Sequence, residues 1–137
     1  MRKAKQISVS LENRPGRLAH LCRCLADRNI NIIAISVAET TEQGVVRMIV
    51  DKPASALKML DECCPTTYAE TDVLLVDLPN RVGALTKLAD KLATKRVNVS
   101  FVYGSAGPGG KKSYIVVGTP NVEKAARALG APLQSRK

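Results

Sequence analysis

The sequence predicts an α+β protein made of two similar units, each running strand, helix, strand, strand, helix, strand. Two observations predict it. First, the chain repeats itself at an offset of 67 residues: Val9 meets Val76, Leu11 Leu78, Asn13 Asn80, Arg14 Arg81, Gly16 Gly83, Leu18 Leu85, Leu21 Leu88, Leu25 Leu92, Ala26 Ala93, Asn31 Asn98, Val50 Val117 and Pro53 Pro120. These are twelve identities in the 45 positions from Val9 to Pro53, where unrelated sequences of globular composition would share about three. Second, each copy switches period in the same places, from two-residue alternation to helical spacing and back.

The elements follow in order. Ile7, Val9 and Leu11 alternate with Ser8, Ser10 and Glu12, the pattern of a strand with one buried face. Pro15 suits a first helical position, and Leu18, Leu21, Cys22 and Leu25 recur at helical spacing, so a helix is expected from Pro15 to Arg28. Ile30 to Val37 is rich in β-branched residues and reads as a strand buried on both faces. Glu42-Gln43-Gly44 reads as a turn, Val45 to Asp51 as the strand that completes a hairpin, and Pro53 as the start of a helix carrying Leu57, Met59 and Leu60. A short strand from Thr66 to Thr71 closes the first unit.

The second unit repeats this order: strand Val73 to Leu78, helix Val82 to Lys95, strand Val97 to Tyr103, strand Lys112 to Gly118, helix Pro120 to Leu129. In the first of these strands Val73 and Leu75 are apolar as well as Leu74, Val76 and Leu78, the pattern of a strand covered on both faces. Only Ala131 to Gln134 remains for a last strand, which is expected to be short, absent or supplied by another chain. Right-handed crossovers place both helices of each unit on one face of an antiparallel sheet, the ferredoxin-like βαββαβ arrangement, with the two units packed in tandem over residues 1–70 and 71–137.

Bulk properties narrow the functional classes. Apolar residues make up 45% of the 137 positions but aromatics only 3%, so the cores are aliphatic. No run approaches the roughly 18 apolar residues of a membrane span, and the start of the chain is not patterned as a signal peptide, so the cytoplasm is the expected location. Cys22 and Cys24 are two apart on a helix and point to different faces, while Cys63 and Cys64 are adjacent. Neither pair has a metal-ligand spacing. Reduced, partly buried thiols are therefore expected, with no metal and no cofactor.

Catalysis has little to work with. The only histidine, His20, is expected on an exposed helical face, away from the stripe of Leu18, Leu21 and Leu25. Asp72 and Asp77 stand five residues apart on a strand and so face opposite ways. The stretch from Gly104 to Ser113 fails as a phosphate loop, because Lys112 follows Lys111 where Ser or Thr is required and a strand follows instead of a helix. It reads as a flexible hairpin loop.

The repeated stretch from strand to helix is the chemically suggestive part. Gly16 and Gly83 allow close approach to the backbone at a helix start, where free N–H groups and the helix dipole attract a carboxylate or phosphate. Asn13 and Asn80 add side chains that donate and accept, and Asn31 and Asn98 offer the same groups at the following strand. A free α-amino acid needs acceptors for its ammonium beside donors for its carboxylate, and this set provides both. The same residues could instead serve only as turn and helix caps.

Glu12-Asn13-Arg14-Pro15-Gly16-Arg17-Leu18, followed by Asn31-Ile32, resembles the ACT domains, the amino-acid-binding regulatory modules of biosynthetic enzymes, and looks like the loop in the serine-binding regulatory domain of phosphoglycerate dehydrogenase. The resemblance covers both repeats, as in the small stand-alone tandem ACT proteins without a catalytic domain. It implies an amino acid bound at an interface between ACT units, in contact with Asn13, Arg14, Pro15, Gly16 and Asn31 in one copy and with Asn80, Val82, Gly83 and Asn98 in the other. The serine-binding pattern has a histidine where this chain has Leu11 and Leu78, which leaves branched-chain, aromatic and other amino acids open. The expected partners are a free amino acid, a second copy of the chain in a dimer, and a regulated protein.

A second reading, of another class, comes from the net charge of +9. It makes the chain a basic adaptor for nucleic acid or an acidic protein, with its loops vestigial, although base-stacking aromatics are lacking.

Overall fold

The computed structural model describes residues 1–39, 43–64, 66–106 and 109–130. The chain divides into two units, one of Lys5–Thr71 and the other of Met1–Ala4 with the residues from Asp72 on. Both are α+β and ferredoxin-like.

The N-terminal unit contains β1 (Arg2–Glu12) from Lys5 onward, α1 (Arg17–Asp27), β2 (Ile32–Glu39), β3 (Gln43–Val50), α2 (Pro53–Cys63) and the first residues of β4 (Tyr68–Pro79). Its strands lie in the order β2-β3-β1-β4. The two antiparallel ladders are in register at Ile7 with Met48, Val9 with Val46 and Leu11 with Gly44, and at Ile35 with Met48 and Val37 with Val46. On the other edge of β1 the Ser10 N–H donates to the Thr67 carbonyl at 3.0 Å. The alternation of Ile7, Val9 and Leu11 delivers these side chains to one face, where they meet Leu21 and Leu25 of α1 and Ala56, Met59 and Leu60 of α2. Burying each of the large aliphatic side chains contributes about 2 kcal/mol.

The C-terminal unit has β4 from Asp72 onward, α3 (Ala84–Thr94), β5 (Phe101–Ser105), β6 (Lys112–Gly118) and α4 (Val122–Ala128). Leu74 pairs with Val117 and Val76 with Ile115 across β4 and β6, and Val102 pairs with Val117 across β5 and β6. Leu88 and Leu92 of α3 and Val122, Ala125 and Ala126 of α4 cover Leu74, Val76 and Val117. The strand order here is β5-β6-β4-β1, so the place of a fourth strand goes to the first residues of the chain. Met1 packs on this core and Lys3 Nζ donates to Glu123 Oε1 on α4 at 3.0 Å. The Ala131–Gln134 stretch lies outside the described residues.

Several expectations are corrected. The strands placed at Thr66–Thr71 and Val73–Leu78 are one continuous strand, β4, because no glycine or proline interrupts residues 66–78. Gln43 and Gly44 belong to β3 rather than to a turn, and Glu42 lies outside the described residues. The strand after α1 begins at Ile32, not Ile30, and is open on one face: Ile33, Ile35 and Val37 are 46%, 40% and 52% exposed. Two helices cover only one side of a sheet, and a β-branched run cannot reveal which side is left open. Both first helices start later than expected, at Arg17 and Ala84, because Gly16 and Gly83 sit before them in the left-handed region with φ 88°.

Candidate functional site

The two strand-to-helix loops adopt the same backbone. In the N-terminal unit the Arg14 N–H donates to the Glu12 carbonyl at 2.9 Å, the Arg17 N–H to Arg14 at 3.3 Å, and the His20 N–H to Gly16 at 3.0 Å. In the C-terminal unit the Arg81 N–H donates to Pro79 at 2.9 Å, the Ala84 N–H to Arg81 at 3.2 Å, and the Lys87 N–H to Gly83 at 3.1 Å. Gly16 has ψ −12° and Gly83 ψ −6°. A left-handed φ makes glycine the natural residue at both places. Nothing lies within 4 Å of where a Cβ would stand, so the space over each glycine is also open. Neither helix start has a side-chain cap, which leaves N–H donors of the first turn for another partner.

A cavity of about 320 Å³ flanks the first loop, lined by Glu12, Asn13, Arg14, Arg17, Leu18 and Val37 among others. Glu12 is the electrostatic centre of this loop: its carboxylate receives Arg14 Nε at 2.8 Å and stands 3.8 Å from Arg17 Nη2. A cavity of about 310 Å³ flanks the second loop, with Arg81, Val82, Gly83, Lys87 and Lys91 over a floor that includes Val76, Leu78 and Leu88. There the counterparts of Glu12 and Arg17 are Pro79 and Ala84. The second loop therefore lacks the carboxylate that neutralises the first, and Lys87 and Lys91, four apart on α3, add positive charge. Asp77 is the acidic group in its lining.

The site residues expected from sequence are only partly gathered. Asn13 and Arg14 line the first cavity, and Val82 and Gly83 the second. Pro15 and Gly16 shape the first loop without lining its cavity. Asn80 is turned to the hairpin, donating from Nδ2 to the Gly110 carbonyl at 2.8 Å, while its N–H donates to Lys111 at 2.9 Å. Asn31 is held through its backbone, its N–H donating to Asp51 Oδ1 at 2.9 Å. Asn98 is exposed ahead of β5. Neither Asn31 nor Asn98 lines a loop cavity. Arg17, Lys87 and Lys91 also line these cavities: Arg17 directly follows Gly16, and Lys87 and Lys91 stand at helical spacing, four and eight residues after Gly83.

His20 is a further correction. It is half-buried rather than exposed, with Nε2 3.1 Å from the Cys63 carbonyl and 3.7 Å from Cys24 Sγ. It lines a third cavity, of about 610 Å³, with Ser10, Arg17, Cys63, Cys64 and Thr66. All four cysteines are free thiols. Among the described residues no group of His, Cys, Asp and Glu could hold a metal ion, and no helix is long and apolar enough to cross a membrane.

Comparison with known proteins agrees with this architecture. The family described as an ACT domain pair matches residues 2–130. A protein of Bacteroides thetaiotaomicron is similar in structure, with a TM-score of 0.86 and 34% identity over 93% of this chain and 87% of that one. The regulatory subunit of aspartate kinase from Thermus thermophilus shares the fold at a TM-score of 0.71 and 18% identity, over 95% and 92% of the two chains. That of Thermus flavus does so at 0.65 and 18%, over the same shares. No curated protein matches the chain. Two ferredoxin-like units with the same glycine-loop backbone agree with this family match, and the chain belongs to the ACT family as a pair of ACT domains.

Proposed function

We propose that this ACT pair is a non-catalytic regulatory protein that senses a free amino acid through the β1–α1 and β4–α3 loops. The observation that carries the reading is the duplicated loop, with Gly16 and Gly83 at the same φ of 88° beside cavities of about 320 and 310 Å³. Each cavity offers both signs of charge and an apolar wall. Glu12 with Arg14 and Arg17, and Asp77 with Arg81 and Lys87, complement a zwitterion, while Leu18 and Val37 or Val76 and Leu88 suit an aliphatic side chain. The regulatory subunits that share this fold support a regulatory role. A second copy of the chain would complete the sites, and ligand binding would shift the population between two arrangements that a regulated protein reads.

The test is a thermal-shift screen against the twenty amino acids, with calorimetry on any hit, since a ligand of the folded state raises stability by RT ln(1 + [L]/Kd). A selective rise is expected, reduced by about tenfold in affinity when Arg14→Ala or Arg81→Ala removes a charged partner of the carboxylate. A flat panel at millimolar ligand would sink the reading and leave the basic adaptor, whose mark is nucleic-acid binding that weakens steeply with salt.

A further inference from the structure

The N-terminal unit brings together two cysteines that are far apart in sequence. Cys24 lies on α1 and is buried, whereas Cys63 is the last residue of α2 and half-buried. One side chain, His20, touches both of these residues. Arg28 Nη2 donates to Cys63 Sγ at 3.1 Å and is itself fixed by Glu62 Oε2 at 2.7 Å. The Cys63 carbonyl only accepts, so His20 Nε2, 3.1 Å away, donates to it, and Cys24 Sγ stands 3.7 Å from the same nitrogen. The 610 Å³ cavity opens on Cys63 and His20, giving a small solute a way in.

We propose that Cys63 and Cys24 are a peroxide-reactive dithiol that closes to a reversible intrachain disulfide. Cys63 is the attacking sulfur, because it is reachable from the cavity and has a guanidinium against the atom that must bear negative charge. Its sulfur attacks the terminal oxygen of a hydroperoxide, the O–O bond breaks, and water or an alcohol leaves with the Cys63 proton, so that Cys63 becomes a sulfenic acid. Cys24 sulfur then attacks Cys63 sulfur. The S–O bond breaks, the hydroxyl departs as water with the Cys24 proton, and the S–S bond forms. One hydroperoxide gains two electrons and the two thiols lose two. Burial, with Cys63 adding to it, pushes the Cys24 thiol up from its ordinary value, which suits the resolving role and not the attacking one. A small dithiol reductant reverses the link.

The disulfide would fasten the end of α2 to the middle of α1, the helix that begins at the Gly16 loop. The test treats the whole chain with equimolar hydrogen peroxide, followed by intact mass and peptide mapping without reduction. The expected product is a monomeric chain lighter by about 2 Da, with the Cys24 peptide joined to the Cys63 peptide and the link lost in dithiothreitol. Arg28→Gln should slow its formation by about tenfold and Arg28→Lys restore most of the rate. A link between Cys63 and Cys64, a link between chains, or a chain about 32 Da heavier with no link would overturn the proposal. So would an unchanged rate in Arg28→Gln. The wild-type map needs no substitution in the core, so a poorly folding variant cannot obscure the outcome.

Discussion

At the scale of single residues, the sequence announced conformations more readily than contacts. The repeat places Asn29 opposite Arg96, and both have positive φ, 58° and 56°, just beyond α1 and α3. Asparagine at such a position is a readable signal and arginine is not; Arg96 becomes legible only through its partner in the other copy. Contacts depend on rotamers and on segments far away, and the ion pair of Lys3 with Glu123 is of this kind. The Lys3 hydrogen bond, followed by Glu123's own backbone N–H, lowers the Glu123 carboxyl from its ordinary value. A carboxyl held lower in the folded state stabilises above its unfolded value, about 4.3, and that contribution is lost as pH falls through the folded value. Glu123→Gln should therefore lower the melting temperature slightly at neutral pH, the pair being exposed, and flatten its fall below about pH 5 by the same small amount. An unaltered acid profile would show that the pair does not couple to folding.

Among elements, strands and helices were legible where periodicity was clean. The expected Lys112–Gly118 strand is β6, and Pro53 opens α2. The gap expected between the strands Thr66–Thr71 and Val73–Leu78 is absent, because Thr71-Asp72 contains nothing that ends a strand and β4 runs through it. The hairpin of β5 with β6 was expected, but not how closely its strands approach. Gly104 lies so close to β6 that a Cβ would stand 2.2 Å from the Tyr114 carbonyl oxygen and 3.0 Å from Ile115 Cα. Backbone in a ladder cannot step aside, so Gly104→Ala should cost about 3 kcal/mol, read as a lower melting temperature. Gly118→Ala should cost less, since the atoms it meets are those of the Phe101 ring, which can turn away. Equal costs would mean that the β5–β6 approach is looser than described.

For the whole molecule, the C-terminal unit includes Met1–Ala4. A chain starting at Lys5 behind an initiator Met loses the packing of Met1 and the Lys3 ion pairs with Glu123 and Asp72. It should lose about 1 to 2 kcal/mol from that unit. Hydrogen exchange would show this as weaker amide protection in α3, α4 and β6, with α1 and α2 unchanged. Uniform loss across both units, or none, would count against the strand-end assignment.

What the sequence determined by itself is the pair of equivalent units, their order of elements and the two glycine loops, since repeat identity and periodicity are local and survive without coordinates. Only the tertiary structure decided that the start of β1 serves the C-terminal unit, that Asn31 and Asn98 stand away from the loop cavities, and that His20, Cys24 and Cys63 meet. Each of these depends on which distant segment completes a sheet edge or packs against a helix. That choice is made by the burial available to the folded chain, and no spacing within a segment encodes it.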